Sequence, residues 1–321
     1  MRIDLPNNKS AWLIGDPHLG RKFEAGVPAH KRGQREARQL TILRDELHIS
    51  NVDFNISVGD LFDHPHVGYK VALEVAELYL KAAEALPNTN FYVMAGNHDL
   101  PRNLGVVGAF DAFEEIVAGR FPNLIVVRRA TQVSPFLALF PWEWNKSAAE
   151  QVVEIGSPLD DDFNRGVAVG HWDLQSYGGD DTHMAPTSML HVKGWTQLYS
   201  GHYHTEGDYT VNGHVVHCTG SMEPYSHGED PEGKIYVTLT LDEATDGRDL
   251  SEKCVRVILS EGEELPDDLD CMAITAIKAK VENEEVQPIN LGKFEWKTVL
   301  DEALADLDPE VRSFIEERLS A

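Results

Sequence analysis

A chain of 321 residues, 42% hydrophobic and 25% charged, has material for one large domain or two ordinary ones, which excludes a wholly disordered protein. No run approaches the roughly 18 apolar residues that cross a bilayer, and residues 1–10 lack the apolar stretch of a signal peptide, so a cytoplasmic protein without membrane contact is expected. The net charge of −25 would ordinarily argue against a nucleic-acid partner, but it reports in good part on residues 261–321, with 17 acidic and 6 basic side chains; three scattered cysteines, Cys218, Cys254 and Cys271, exclude a disulfide framework or a thiolate metal site.

Short apolar runs alternate with helical patterns through the first two hundred residues, the sign of βαβ units and a buried sheet. Strands are expected near 11–14, 53–58, 90–95, 124–127, 136–140, 166–169 and 196–200, with helices over 31–49, 69–86 and 106–118. Val71, Val75, Leu78 and Ala82 give the second helix an apolar stripe at spacings of three and four. From 208 to 258 the pattern turns β-rich, with strands at 209–211, 215–218, 235–241 and 255–259. The cluster Glu261 to Asp270 reads as a linker, which divides the chain into residues 1–260 and an acidic appendage, 261–321. That α+β appendage holds a strand, 272–281, and two short amphipathic helices, 296–307 and 309–319, whose apolar faces need a cover: either their own core or a partner.

Five strands end in a glycine followed by a side chain able to bind metal: Gly15-Asp16, Gly59-Asp60, Gly96-Asn97, Gly170-His171 and Gly201-His202. Parallel strands line up their C-terminal ends, so these side chains are expected to converge in the crevice beyond one sheet edge. Glycine suits a backbone that leaves its strand sharply. Asp16-Pro17-His18 and His202-Tyr203-His204 each add an imidazole two residues on, which in extended chain points the same way. Asp16, His18, Asp60, Asn97, His171, His202 and His204 are too many N and O donors for one tetrahedral zinc. They suit two borderline divalent cations, Mn²⁺ foremost with Fe or Mg²⁺ as alternatives, which at about 3.5–4 Å apart activate water and clamp a phosphoryl group. Gly179-Asp180, Gly207-Asp208 and Gly213-His214 end no clear strand and read as turns.

These segments, with Asp63 and with His98-Asp99 after Asn97, resemble the five motifs of the calcineurin-like metallophosphoesterases. The resemblance spans residues 11–225 and implies a four-layer α/β/β/α sandwich with a dinuclear centre. Leu19-Gly20, Leu61-Phe62-Asp63, Phe140-Pro141-Trp142, Gly170-His171-Trp172 and Gly220-Ser221 narrow it to the SbcD-type DNA nucleases, especially phage recombination nuclease subunits. It implies that Asp16, His18 and His204 hold one metal, that Asn97, His171 and His202 hold the other, and that Asp60 bridges. His98, pointing into the cleft with Asp99 behind it, is the implied general acid, since an imidazole exchanges protons near neutrality; packing is its plainer alternative.

The implied activity is cleavage of DNA phosphodiesters, exonuclease or endonuclease, in recombination, repair or replication. A phosphatase or nucleotide phosphodiesterase on a small substrate has the same centre, and a scaffold for a partner ATPase would not need seven intact ligands. Residues 21–44 carry seven basic groups against two acidic ones, either a solvated helix face or a DNA contact through Arg32 and Arg35. The implied partner is an SbcC-type ATPase held by the C-terminal helices, and a homodimer is compatible with the pattern. Asp63 either orients a ligand or His98, or caps a turn. His64 and His66 read as surface residues, as do His183, His191, His214, His217 and His227. Trp142, Trp144 and Trp172 read as packing, with base stacking as the alternative.

Overall fold

The computed structural model describes residues 1–103, 105–158, 166–176, 181–266 and 269–279. In chain order the elements are β1 (Arg2–Leu5), β2 (Lys9–Ile14), α1 (Gln34–Leu47), β3 (Phe54–Ser57), α2 (Tyr69–Ala85), β4 (Asn90–Met94), α3 (Ala109–Val117), β5 (Leu124–Val127), β6 (Thr131–Ser134) and β7 (Leu137–Phe140). There follow α4 (Ala148–Glu154), β8 (Gly166–Gly170), α5 (Thr187–Val192), β9 (Trp195–Ser200), β10 (Gly207–Val211), β11 (His214–Cys218), β12 (Tyr236–Thr240), α6 (Leu241–Ala244), β13 (Cys254–Leu259) and β14 (Ala273–Lys278).

Period-two alternation sorts the side chains of the short strands into two cores. On β4, Phe91 and Val93 pack under α1, α2 and α3, while Tyr92 and Met94 meet Leu137 and Leu139 of β7 and Val167 and Val169 of β8 between two sheets. On the far side, Ala138, Phe140 and Ala168 pack with Val152 of α4 and Leu190 of α5. Four layers result: helices, a five-stranded sheet ordered β1-β2-β3-β4-β5, a six-stranded sheet ordered β10-β11-β9-β8-β7-β6, and helices again. The strands that carry the glycine motifs run parallel within their sheets. The inner strands β3, β7 and β8 are buried on both faces, which is why they read as unbroken apolar runs.

Two strands have no counterpart in the expected set. β1 pairs antiparallel with β2, and β6 pairs antiparallel with β7; their half-exposed, polar sequences give little periodic signal. The boundary expected at residue 260 also moves. β12, β13 and β14 form a third, all-parallel sheet, so the strand after the Glu261–Asp270 segment completes this sheet instead of opening an appendage. Val255, Val257, Leu239 and Leu250 form its apolar cluster, and Met1–Lys278 is one unit. The expected helices at 296–307 and 309–319 lie outside the described residues.

Candidate metal centre

The five glycine-led strand ends belong to two sheets, not one: β2, β3 and β4 bring Asp16, Asp60 and Asn97 from the first, and β8 and β9 bring His171 and His202 from the second. The centre therefore sits where the C-terminal ends of two stacked sheets meet. The glycines serve mainly to let those ends approach. A Cβ on Gly59 would strike the His171 ring, one on Gly96 the Asp60 carboxylate, one on Gly170 the Trp172 ring, and one on Gly201 Val58 and Asp16 Oδ1. Of the five, only Gly59 takes a positive φ, so close approach, more than turn conformation, selects glycine here.

The left-handed strain falls on the ligand candidates themselves, with φ of 43° at His18, 49° at Asp60 and 76° at His202. Such conformations cost free energy and persist where surrounding structure enforces them. The argument that each i, i+2 pair serves one locus holds for Asp16 and His18, which share a cluster, and fails for the His-x-His pair. His202 turns toward Asn97, with Nδ1 at 3.0 Å from Oδ1, and His204 turns toward His18, with their Nε2 atoms 2.9 Å apart.

Two clusters able to hold a cation meet at Asp60. Asp16, His18 and His204 form one; Asp60, His171 and His202 form the other; and His18, Asp60 and His98 also group together. Asp60 Oδ2 stands 3.6 Å from His18 Nε2 and 3.4 Å from His171 Nε2, between the two halves. Asn97 Oδ1 lies 3.0 Å from His171 Nε2.

Hydrogen-bond partners fix the ring tautomers. His171 Nδ1 donates to the Val58 carbonyl (2.9 Å), and His204 Nδ1 faces Glu229 Oε1 at 3.3 Å. His18 Nδ1 stands 3.6 Å from Asp63 Oδ1, too far for a hydrogen bond, and has no hydrogen-bond partner among the described residues. With Nδ1 of His171 and His204 held in this way, Nε2 of each ring is turned toward another imidazole, a carboxylate or an amide oxygen, an arrangement that a cation between them would satisfy. Asp16 Oδ1 is buried with no hydrogen-bond partner, while Oδ2 accepts from the His202 amide (2.7 Å). Converging lone pairs and an orphaned carboxylate oxygen fit divalent cations with N and O preference.

The charges follow from burial. Burial raises the Asp60 carboxyl, but the His171 and His18 imidazoles outweigh it and hold the group well below the usual carboxylate range. Burial likewise disfavours charge on His171, and Asp60 and Asp16 overcome it, lifting the imidazole to about 9. His18 shows the opposite balance: burial prevails over Asp60, and its value falls to about 3.

His98 is exposed beside this centre, its ring 4.8 Å from that of His18. Its Nδ1 donates to the Asp63 carbonyl (2.6 Å), which leaves Nε2 free. Asp99 is not behind it. The Asp99 carboxylate is buried and accepts from the amides of Leu61, Phe62 and Gly96 at 3.1, 2.9 and 2.8 Å, tying the β3 and β4 loops together. Asp63 thus serves twice, its carboxylate facing His18 and its carbonyl holding His98.

Asp173 and Glu229, absent from the expected set, complete the surroundings: Asp173 Oδ1 is 2.9 Å from His202 Nε2. Asp173 stands two residues after His171, an alternation the sequence offers; Glu229 lies in an acidic loop with no such signal. Tyr225 also belongs here, donating to the carbonyls of Asp16 (3.1 Å) or Pro17 (2.6 Å).

Arg35 departs from its expected role in DNA contact. It is only 6% exposed, facing Glu223 at 3.6 Å and donating to the Tyr236 hydroxyl (2.5 Å) and the Pro224 carbonyl (2.5 Å). Helix α1 turns that side chain inward toward the third sheet. Arg32 is exposed and, among the described residues, has no ion pair. Trp172 and Trp142 are buried; the half-buried His183 stacks on Trp142 at 3.8 Å. His64 and His66 are exposed. Gly207 opens β10, Gly213 takes φ 82° in the hairpin before β11, and Gly179-Asp180 lies outside the described residues.

The calcineurin-like phosphoesterase family profile matches residues 10–215, more than half of the chain, including all seven ligand candidates. The chain belongs to that family, and its class is that of a metal-dependent phosphoester hydrolase. Two solved structures are similar to the chain at low identity. Phosphopantetheinyl hydrolase from Mycobacterium tuberculosis is 14% identical over 67% of this chain and 93% of its own, with a TM-score of 0.33. GAP50, the anchor in the inner membrane complex of Plasmodium, is 15% identical over 66% and 71%, with a TM-score of 0.39. No curated protein sequence matches the chain. Among the described residues no helix is long and apolar enough to cross a membrane.

Proposed function

We propose that the chain is a Mn²⁺-dependent DNA phosphodiesterase of the SbcD type, working with an SbcC-type ATPase. The observation that carries the DNA reading is a cation beside the centre. Arg21 lies 3.5 Å from Asp63 and 4.8 Å over the Tyr225 ring, and that ring packs on His18 and His204 at 5.3 and 5.5 Å. With Lys22 and Arg32 exposed on the following segment, an anionic strand leaving the centre on this side meets positive charge.

In this reading Asp16, His18 and His204 hold one cation, Asn97, His171 and His202 the other, and Asp60 both. Bound there, divalent cations would supply charge neutralisation at phosphorus and a water of lowered pKa. Asp173, Glu229 and the Val58 carbonyl keep the imidazoles turned inward. His98, held at Nδ1 by the Asp63 carbonyl, presents Nε2 to the departing sugar oxygen and gives it a proton. The ATPase would dock on residues 296–319, outside the described residues.

The test gives the purified chain with Mn²⁺ labelled double-stranded DNA, single-stranded DNA and bis(p-nitrophenyl) phosphate. Degradation of DNA that EDTA stops and Asp60→Asn abolishes, with metal lost from both positions, is the expected result. Turnover of the small ester alone overturns the DNA reading.

A further inference from the structure

Next to the metal centre lies a cavity of about 310 Å³ between the 21–36 segment and the third sheet. The segment is docked there by design of its backbone: Gly26, at φ 69°, passes so close to the Ile274 carbonyl that a Cβ would collide, and its own carbonyl accepts from the Ile274 amide (2.9 Å). Lys31 and Asp270 form an ion pair across the same seam.

The lining has two chemical halves. Five cations, Arg21, Lys22, Lys31, Arg35 and Arg256, line it against two carboxylates, Glu24 and Glu36, and among the described residues neither Lys22 nor Arg256 has a carboxylate partner. In a chain of net charge −25, this local excess of cations in one concavity favours an anion there. The other half is aromatic: Phe23, Tyr225 and Tyr236 line the cavity, with Phe23 and Tyr225 stacked at 6.3 Å and 16° between planes. A volume near 310 Å³ lies at the small end of ligand pockets, about 300–1,000 Å³. It suits one nucleotide unit and excludes a duplex.

We propose that this cavity is a second ligand site, separate from the metal centre, which takes an aromatic base bearing a phosphate, as in a nucleoside monophosphate unit. The phosphate meets Lys22 and Arg256, and the base meets the aromatic wall. Tyr225 is shared between the two sites: one side of its environment is the cavity, and its ring also packs on His18 and His204. Occupancy is therefore felt one ring away from the metal ligands. The unit could come from a free nucleotide or from a polynucleotide strand, and the chemistry is the same.

The experiment is calorimetric titration of the full-length, Mn²⁺-loaded protein with dAMP, beside adenosine and inorganic phosphate. Saturable dAMP binding, tighter than either fragment, is expected. It should weaken about tenfold or more in Lys22→Gln and Arg256→Gln, each removing a charge-assisted contact, and be lost in Ala273→Phe, which fills the cavity from β14. Hydrolysis of bis(p-nitrophenyl) phosphate should be unchanged in Arg256→Gln, and Asp60→Asn should still bind dAMP. Displacement of dAMP by a short single-stranded oligonucleotide identifies the strand as the source, and failure to displace it identifies the free nucleotide; both support the site. Absence of saturable dAMP binding, binding unchanged in the Lys22 and Arg256 variants, phosphate binding as tight as dAMP, or loss of binding in Asp60→Asn overturns it. None of these outcomes bears on whether the metal centre cleaves DNA, which the small-ester and DNA assays decide separately.

Discussion

His98 Nδ1 is held by the Asp63 carbonyl (2.6 Å) and its ring stands beside His18 at 4.8 Å, so its position belongs to proton transfer more than to metal retention. His98→Gln should keep both metals by elemental analysis and lose about 10²–10⁴ in rate; loss of metal along with rate would make it a ligand. Asp173 acts through another residue, holding the His202 ring at 2.9 Å. Asp173→Ala should weaken metal binding about 10–100-fold, with activity recovered as Mn²⁺ is raised. A rate that no metal concentration restores would exclude this positioning role.

At the scale of elements, the third sheet decides where the chain can be cut. β14 pairs with β13 along six residues, covering the ladder edge beside Val255 and Val257. A chain ending at residue 278 should stay monodisperse and cooperative in thermal unfolding. One ending at 260 should aggregate or melt earlier, because it exposes an unpaired apolar edge. Helix α1 carries a similar contrast. Arg35→Leu leaves the buried Glu223 with Arg38 at 2.9 Å as its remaining partner, and should cost on the order of 3 kcal/mol in denaturant unfolding. Arg32→Glu, on the exposed side, should change stability by less than about 0.5 kcal/mol, yet lower the slope of log DNA affinity against log salt by about 0.9.

At the scale of the molecule, the centre joins the two sheets and so couples metal to folding. His18, Asp16, Asp60 and His171 are all buried, and without a cation their lone pairs and charges face one another. Mn²⁺ at a hundred times its dissociation constant should add about 2.7 kcal/mol per site, seen as a rise in Tm that EDTA reverses. An equal Tm with and without Mn²⁺ would mean that the centre is preorganised by protein contacts alone.

The sequence by itself determined the residue types at the strand ends and the chemistry they can perform, because glycine followed by Asp, Asn or His after an apolar run is a local pattern carried by consecutive residues. It determined the βαβ order for the same reason, since hydrophobic period is local. What it could not hold was anything set by long-range approach. That the strand ends come from two sheets, that four of the five glycines there clear space instead of turning the chain, and that His202 and His204 face different partners all depend on contacts between distant segments. Arg35 shows the reason most plainly: on a helix with basic groups around it, its sequence context matches that of Arg32, and only the packing of Glu223, Tyr236 and Phe23 against one side of α1 buries the first and leaves the second in water.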